Sequence, residues 1–284
     1  MKKDSSVNSF KVILTLLVSA VILLASCNPE AADNNTETPS VKGNQEAVLS
    51  TLYNHYSAEY RALAWQAFNI ASERILDIAS VTKSTDNLAV VVDIDETLLD
   101  NSPHQALTIL TGNPYPAGWN EWCSLSAAEA IPGSVSFLTL ADSLGFTIFY
   151  VSNRNEDPLY EPTFNNLVEK GFPQVSEQSL LLRQSATESN PDPSNKETRR
   201  KFIESAGYKI VLYAGDNIGD FYSDTEKGEK RLKRAEKERH SFGTTYIVLP
   251  NPMYGNWPSA AGTDGTSESY ARLLYKMTEP FRNE

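Results

Sequence analysis

Between Leu88 and Asn101 the chain reads Leu-Ala-Val-Val-Val-Asp-Ile-Asp-Glu-Thr-Leu-Leu-Asp-Asn, an apolar run that ends in two aspartates, Asp93 and Asp95, two residues apart. A short apolar run without alternation is the pattern of a strand buried on both faces, as in a parallel sheet covered by helices. Near the end of such a strand, residues i and i+2 lean to the same side, so Asp93 and Asp95 can converge. The carboxyl edge of a parallel sheet is where open α/β folds bind their ligands. Two carboxylates there repel each other, which calls for a cation or a shared proton.

Further segments repeat the theme. Phe146 to Val151 is a second apolar run and leads into Ser152-Asn153-Arg154. Lys209 to Ala214 is a third and leads into Gly215-Asp216-Asn217-Ile218-Gly219-Asp220-Phe221. Periodicity predicts one long helix or two joined ones over 47–81, then helices over 132–144, 158–170 and 194–206. It also predicts short strands over 179–182 and 245–249, and a helix from about Gly219 into the charged run. Strands and helices in alternation imply a parallel sheet with right-handed crossovers. The predicted fold is therefore α/β, a doubly wound Rossmann-like parallel sheet with a smaller helical annex over 45–83. The core then covers 84–284, with a helical C-terminal segment.

The segment around Asp93 resembles the D-x-D-x-T signature of the haloacid dehalogenase superfamily. Ser152, Lys196 and the Gly215–Asp220 loop match the superfamily's remaining motifs in order. Asp-Ile-Asp-Glu-Thr-Leu-Leu-Asp-Asn, Tyr-Val-Ser-Asn-Arg, Gly-Asp-Asn-Ile-Gly-Asp-Phe and Leu249-Pro-Asn-Pro-Met-Tyr-Gly255 are similar to the motifs of class C bacterial acid phosphatases, the family of outer-membrane lipoprotein 5′-nucleotidases. The resemblance runs from about Gln45 to Pro280. It departs at two positions: His104 stands where the family usually has Tyr, and Ile218 where it usually has Leu.

The resemblance implies a mechanism and a division of roles. Asp93 is the expected nucleophile, forming a phosphoaspartyl intermediate, and Asp95 the acid that protonates the leaving group. Asp93, the Asp95 carbonyl and Asp216 are the expected ligands of Mg²⁺, with Asp220 orienting its waters or completing its shell. Ser152 and Asn153 are expected at the phosphoryl group, together with Lys196, although Arg199, Arg200 and Lys201 follow it and also suit a surface helix. Trp119, Trp122 and Tyr254, with Trp257 nearby, are the rings expected to hold a nucleobase, because stacking tolerates any base. The substrate so implied is a nucleoside 5′-monophosphate. Sugar phosphates are an alternative, and so is a haem- or nucleotide-binding surface lipoprotein with a vestigial site.

The N-terminus bears on location. Lys2, Lys3 and Lys11 precede an apolar stretch, Val12 to Leu24, of signal-peptide length. Leu24-Ala25-Ser26-Cys27 resembles the bacterial lipobox, so residues 1–26 read as a lipoprotein signal peptide and Cys27 as the acylated (palmitate-bearing) first residue. Residues 27–44, rich in Asn, Thr, Glu, Pro and Ser, read as a disordered tether. The expected location is the cell envelope, at the outer membrane, held by lipid rather than by a spanning helix. Removing residues 1–26 takes away three lysines and one aspartate, so the net charge moves from −11 to −13. Such a charge argues against a nucleic-acid polymer as partner.

Two further features have plain readings. With Cys27 lipidated, Cys123 has no intramolecular disulfide partner, and beside Trp119 and Trp122 it reads as a small buried hydrophobe. The run from Glu226 to Arg239 mixes both charges, with Glu229 four residues before Lys233, and reads as a solvated helix face.

Overall fold

The computed structural model describes residues 40–187, 190–223 and 226–281. The signal-peptide segment, Cys27 and most of the tether lie outside the described residues. Residues Ser40–Glu284 make one compact unit. No helix among the described residues is long and apolar enough to cross a membrane.

The chain begins with α1 (Val48–Tyr56) and α2 (Ala58–Val81). Ser57 divides them. Its backbone is extended, its N–H closes α1 on Tyr53 O at 3.1 Å, and its hydroxyl accepts from Tyr60 N at 3.0 Å to cap α2. Then come β1 (Leu88–Val92), β2 (Leu99–Asp100), α3 (Ser102–Thr111), α4 (Trp119–Ser124) and β3 (Glu129–Ala130). After these follow α5 (Ser134–Ser143), β4 (Thr147–Asn155), α6 (Glu156–Glu169), β5 (Leu180–Arg183), α7 (Glu197–Ser205) and β6 (Lys209–Gly215). The chain ends through α8 (Gly228–Lys237), β7 (Tyr246–Val248), α9 (Trp257–Ala260) and α10 (Ser267–Met277).

Five strands form the main sheet in the order β5-β4-β1-β6-β7, every pairing parallel. The chain builds outward from β1 through β4 to β5, then returns to β6 on the other side of β1. That reversal places the crevice of an open α/β sheet at the carboxyl end of β1.

The unalternating apolar run of β1 is explained by its two covered faces. Val90 and Val92 point into a core shared with Ala64, Phe68, Ala71 and Ile75 of α2 and with Phe137 and Leu138 of α5. Ala89 and Val91 point the other way, into a cluster with Phe149, Val151 and Ile203 of α7. Phe68 and Phe137 stack at 5.7 Å. The helical segment expected as an annex over 45–83 therefore shares its principal core with the sheet through α2.

Two regions differ from the periodic reading. Residues 99–130 carry α3, α4 and the antiparallel ribbon β2–β3, set between β1 and α5, where no element was expected. The helix expected from Gly219 is instead one 3-10 turn, Ile218–Asp220, and the charged helix starts afresh at Gly228. Asn217 and Asp220 form a capping box around that turn, which holds Asp220 in place of continuing the helix.

Candidate active site

Past Val92, the loop Asp93–Leu98 is held by its own backbone. Asp93 N donates to Ala214 O at 2.9 Å, tying the loop to β6, and Leu98 and Leu99 N both donate to Ile94 O at 2.9 Å. Glu96 adopts a positive φ of 57° and is buried, with its carboxylate accepting from Asn101 N at 2.8 Å and Asn101 Nδ2 at 3.3 Å. Burial, reinforced by the charges of Asp95 and Asp216, pushes the Glu96 carboxyl well above the ordinary range. The tight turn is what sends Asp93 and Asp95 to different partners.

Asp93 faces β6 and α7. Carboxylate oxygens of Asp93, Asp216 and Asp220 lie within 4.8 Å of one another. The ammonium of Lys196 donates to Asp93 Oδ1 and, at 2.7 Å, to Asp220 Oδ1. Burial drives Asp93 up to about 7 against the pull of Lys196, and the charges of Asp220 and Asp95 add to the rise. Asp216 is likewise raised well above its usual range by burial and by Asp220 and Asp93. Burial opposes the charge on Lys196, yet Asp220 and Asp93 outweigh it and raise its pKa. Asp216 Oδ2 accepts from Asn251 Nδ2 at 2.7 Å. Gly215 makes the approach possible, because a Cβ there would lie 2.5 Å from Asp220 Cβ.

Asp95 faces the other way. Its Oδ1 accepts from Arg154 Nε at 2.9 Å, Arg154 Nη2 at 2.8 Å and Asn101 Nδ2 at 2.8 Å. Its Oδ2 takes a 3.3 Å bond from Ser152 Oγ. Strand β4 runs beyond the expected Val151 to Asn155, and this extension carries Ser152, Asn153 and Arg154 to the site.

Helix α7 contributes three cations. Besides Lys196 just before it, Arg199 donates to Ser152 O and, at 2.5 Å, to Asn153 Oδ1. Arg200 Nη1 donates to Gly219 O and Asp220 O, both at 3.0 Å. Burial pushes Arg199 down to about 10. One helix start therefore fastens the Ser152 loop and the Asp220 turn to each other.

A cavity of about 490 Å³ is lined by Asp93, Asp95, Lys196, Asp216 and Asp220. His104, Tyr115, Trp119 and Tyr254 supply its aromatic wall. His104 Nε2 pairs with Ala117 O at 3.0 Å, and its ring meets Trp119 edge-on at 5.1 Å.

The acid phosphatase model of HAD superfamily subfamily IIIB matches residues 12–257. The chain belongs to this family. It superposes on the class C acid phosphatase from Bacillus anthracis with tungstate bound at a TM-score of 0.71, with 32% identity, covering 81% of this chain and 95% of that one. A second structure of the Bacillus anthracis enzyme matches at the same TM-score with 34% identity and the same coverage. Acid phosphatase 1 of Solanum lycopersicum is 28% identical over 169 residues, 58% of this chain and 57% of that protein. A stem 31 kDa glycoprotein of Glycine max is 27% identical over 200 residues, 70% of this chain and 68% of that protein.

In this acid phosphatase the expected residues do not all fall where the motifs suggest. Asp93, Asp95, Asp216, Asp220 and Lys196 line the cavity together with Asn153, Trp119 and Tyr254. Ser152 is fully buried beneath, bonded to Asp95 and Arg154 N rather than facing the cavity. Trp122 lies behind the wall, where its Nε1 donates to Asn101 Oδ1 at 2.8 Å. Trp257 is half-exposed and absent from the lining. Cys123 is buried, and burial raises its thiol to about 12, in keeping with an inert hydrophobe.

Contributors given no site role from sequence include Arg154, Asn101, Asn251, Arg199, Arg200 and Tyr115. Arg199 and Arg200 were hidden in a basic run, and Arg154 closed the Ser-Asn-Arg motif without an assigned role. Asn251 lay within the Leu249–Gly255 motif without an assigned role. His55 Nδ1, Asp100 and Ser102 also meet, but both contacts use the same ring nitrogen and Ser102 is buried, so they form a structural latch and not a nucleophilic triad.

Proposed function

We propose that this acid phosphatase hydrolyses nucleoside 5′-monophosphates with Mg²⁺, through a phosphoaspartyl intermediate on Asp93. The observation that carries the reading is that one cavity is lined both by the buried Asp93–Lys196–Asp220 array and by aromatic rings. A phosphoryl group would meet the array while a planar base meets the rings.

The acidic cluster suits a hard divalent cation. Its donors are all oxygens, two of its acids are held above their usual range, and no lysine or arginine pairs directly with Asp216 among the described residues. Asp93, Asp216, Asp220 and the Asp95 carbonyl would hold it. Bound there, Mg²⁺ supplies positive charge to the acids and the phosphoryl oxygens.

The protein's own groups do the rest. An Asp93 oxygen bonds to phosphorus as the ester P–O bond breaks, and the Asp95 carboxylic acid gives its proton to the departing oxygen. Asp95, now a carboxylate, takes a proton from the water that cleaves the Asp93–phosphorus bond. Lys196 holds Asp93 in line and adds charge where the phosphoryl oxygens lie. Lipid attachment at Cys27 would place this chemistry at the cell envelope, and loss of membrane association in Cys27→Ala tests that part.

The central test measures phosphate release from AMP, nicotinamide mononucleotide and glucose 6-phosphate, with Mg²⁺ and with EDTA, beside Asp93→Asn. Metal-dependent turnover of the nucleotides that disappears in Asp93→Asn is the expected result. Equal or faster turnover of glucose 6-phosphate replaces the nucleotide reading with a sugar-phosphate one. A folded protein that binds AMP yet turns over none of the three esters is a binding lipoprotein.

A further inference from the structure

We propose that Arg154 is the positioning residue of Asp95, and that its contact with Trp119 ties the placement of Asp95 to the wall of the substrate cavity. This rests on Asp95 being the group that protonates the leaving oxygen.

Arg154 is 2% exposed, and every branch of its guanidinium is used. Nε and Nη2 both close on Asp95 Oδ1, Nη1 donates to Thr163 Oγ1 at 3.2 Å, and Nη2 also reaches Asn101 Oδ1 at 3.3 Å. Asn101 is fixed in turn by Trp122 and Glu96. The Arg154 Cζ stands 5.5 Å from the centroid of the Trp119 ring, which lines the cavity. The guanidinium thus lies between the acid and the wall.

The consequence for Asp95 is geometric. Three N–H donors converge on Oδ1, which can then only accept. A proton carried by Asp95 is left with Oδ2, the oxygen that has only the long contact from Ser152. Arg154 and Asn101 together decide which oxygen delivers the proton and where it points. A lysine at 154 keeps the charge but cannot supply the fork, because one ammonium on a flexible stem does not reach Asp95 and Thr163 in a fixed plane. A ring settling on Trp119 presses on the same guanidinium through its other face, so occupancy of the wall and orientation of Asp95 share one element.

The test separates proton delivery from general damage. With Mg²⁺ present, kcat/KM is measured for p-nitrophenyl phosphate, whose phenolate leaves without help, and for benzyl phosphate, whose alkoxide needs a proton. The ratio of the two does not depend on how much of the enzyme is folded. In Asp95→Asn the benzyl ester falls far more than the nitrophenyl ester. In Arg154→Lys it falls about 10- to 100-fold more, a partial loss of the roughly 10²–10⁴-fold that a general acid contributes. Trp122→Phe, a milder change that removes the Nε1 bond to Asn101 Oδ1 while Asn101 keeps Glu96, shifts the ratio in the same direction by a few-fold and serves if Arg154→Lys does not fold. Equal losses for both esters in Arg154→Lys or Trp122→Phe, with Asp95→Asn still selective, overturn the positioning role alone. Equal losses in Asp95→Asn itself remove the proton-donor reading and the proposal with it.

Discussion

Asp93 and Asp95 are two residues apart and answer to different cations. Asp93 meets Lys196, a compact charge shared with Asp220, in a cluster where the acids outnumber the base. Asp95 meets Arg154, a planar fork that fixes one oxygen and leaves the other with only the long bond from Ser152. In the mechanism proposed above, a point charge suits a group that moves onto phosphorus and tolerates a second cation beside it. A fork suits a group whose direction matters more than its charge. The same strand end thus presents one carboxylate prepared electrostatically and one prepared geometrically.

The largest effect should come from breaking the first arrangement. Asp93→Asn keeps the shape and removes the proposed nucleophile, and phosphate release should fall by about 10⁴-fold or more, with circular dichroism unchanged. Lys196→Met comes next. It leaves Asp93 and Asp220 buried without their cation, so urea unfolding in EDTA should show a loss of about 3–5 kcal/mol, the usual cost of stripping one partner from a buried pair. Turnover should fall about 10²–10³-fold, as when a transition-state charge partner is removed. Added Mg²⁺ should recover stability more than rate.

Acidity sharpens the comparison further. Burial, against the pull of Lys196, lifts Asp93 from 3.8 in the unfolded chain to about 7 in the folded one. A carboxyl with a raised folded value binds more protons when folded, so its contribution is full below about pH 4 and is lost as pH rises through about 7. Asp216 acts in the same direction. In EDTA, the stability difference between wild type and Asp93→Asn should therefore move against the wild type by a few kcal/mol from pH 4.5 to pH 7.5. A difference that stayed flat across that range would mean that Lys196 fully offsets the burial of Asp93.

The wall gives a smaller effect and a different kinetic signature. Trp119→Ala and Tyr254→Ala should raise KM for AMP by about 5- to 100-fold, the worth of one stacked base. The same changes should do less to p-nitrophenyl phosphate. Trp122, which bonds to Asn101 behind the wall, should leave KM for AMP nearly unchanged as Phe.

How much of this was legible follows from the physics of each part. Buried strands announce themselves through runs such as Leu88 to Val92, and the acids that end them mark the crevice, so the sheet and the meeting of Asp93, Asp95, Asp216 and Asp220 in one cavity were readable. The 99–130 region was not, because its short elements carry little periodicity and depend on packing against α1 and α6. Nor did composition reveal that Arg199 and Arg200 face inward, since a basic run looks solvated until one knows which carbonyls it meets. Ser152 and Trp122 were expected at the substrate and lie outside the cavity lining, a distinction that spacing along a chain does not encode.

Lys196 and Lys233 make the point at the bottom of the scale. Each sits in a run of basic residues, and each pairs with acids. Lys196 is closed off between Asp93 and Asp220, whereas Lys233 pairs with Glu229 at 2.7 Å on α8, where no residue is buried. In water the attraction of such an i,i+4 pair is nearly cancelled by screening and by the entropy of holding two long side chains. Lys233→Ala should therefore change stability by no more than about 0.5 kcal/mol and leave kcat and KM for AMP at wild-type values. A change in either constant would mean that α8 takes part in the site, and a loss confined to KM would identify it as a surface the substrate passes on its way to the cavity.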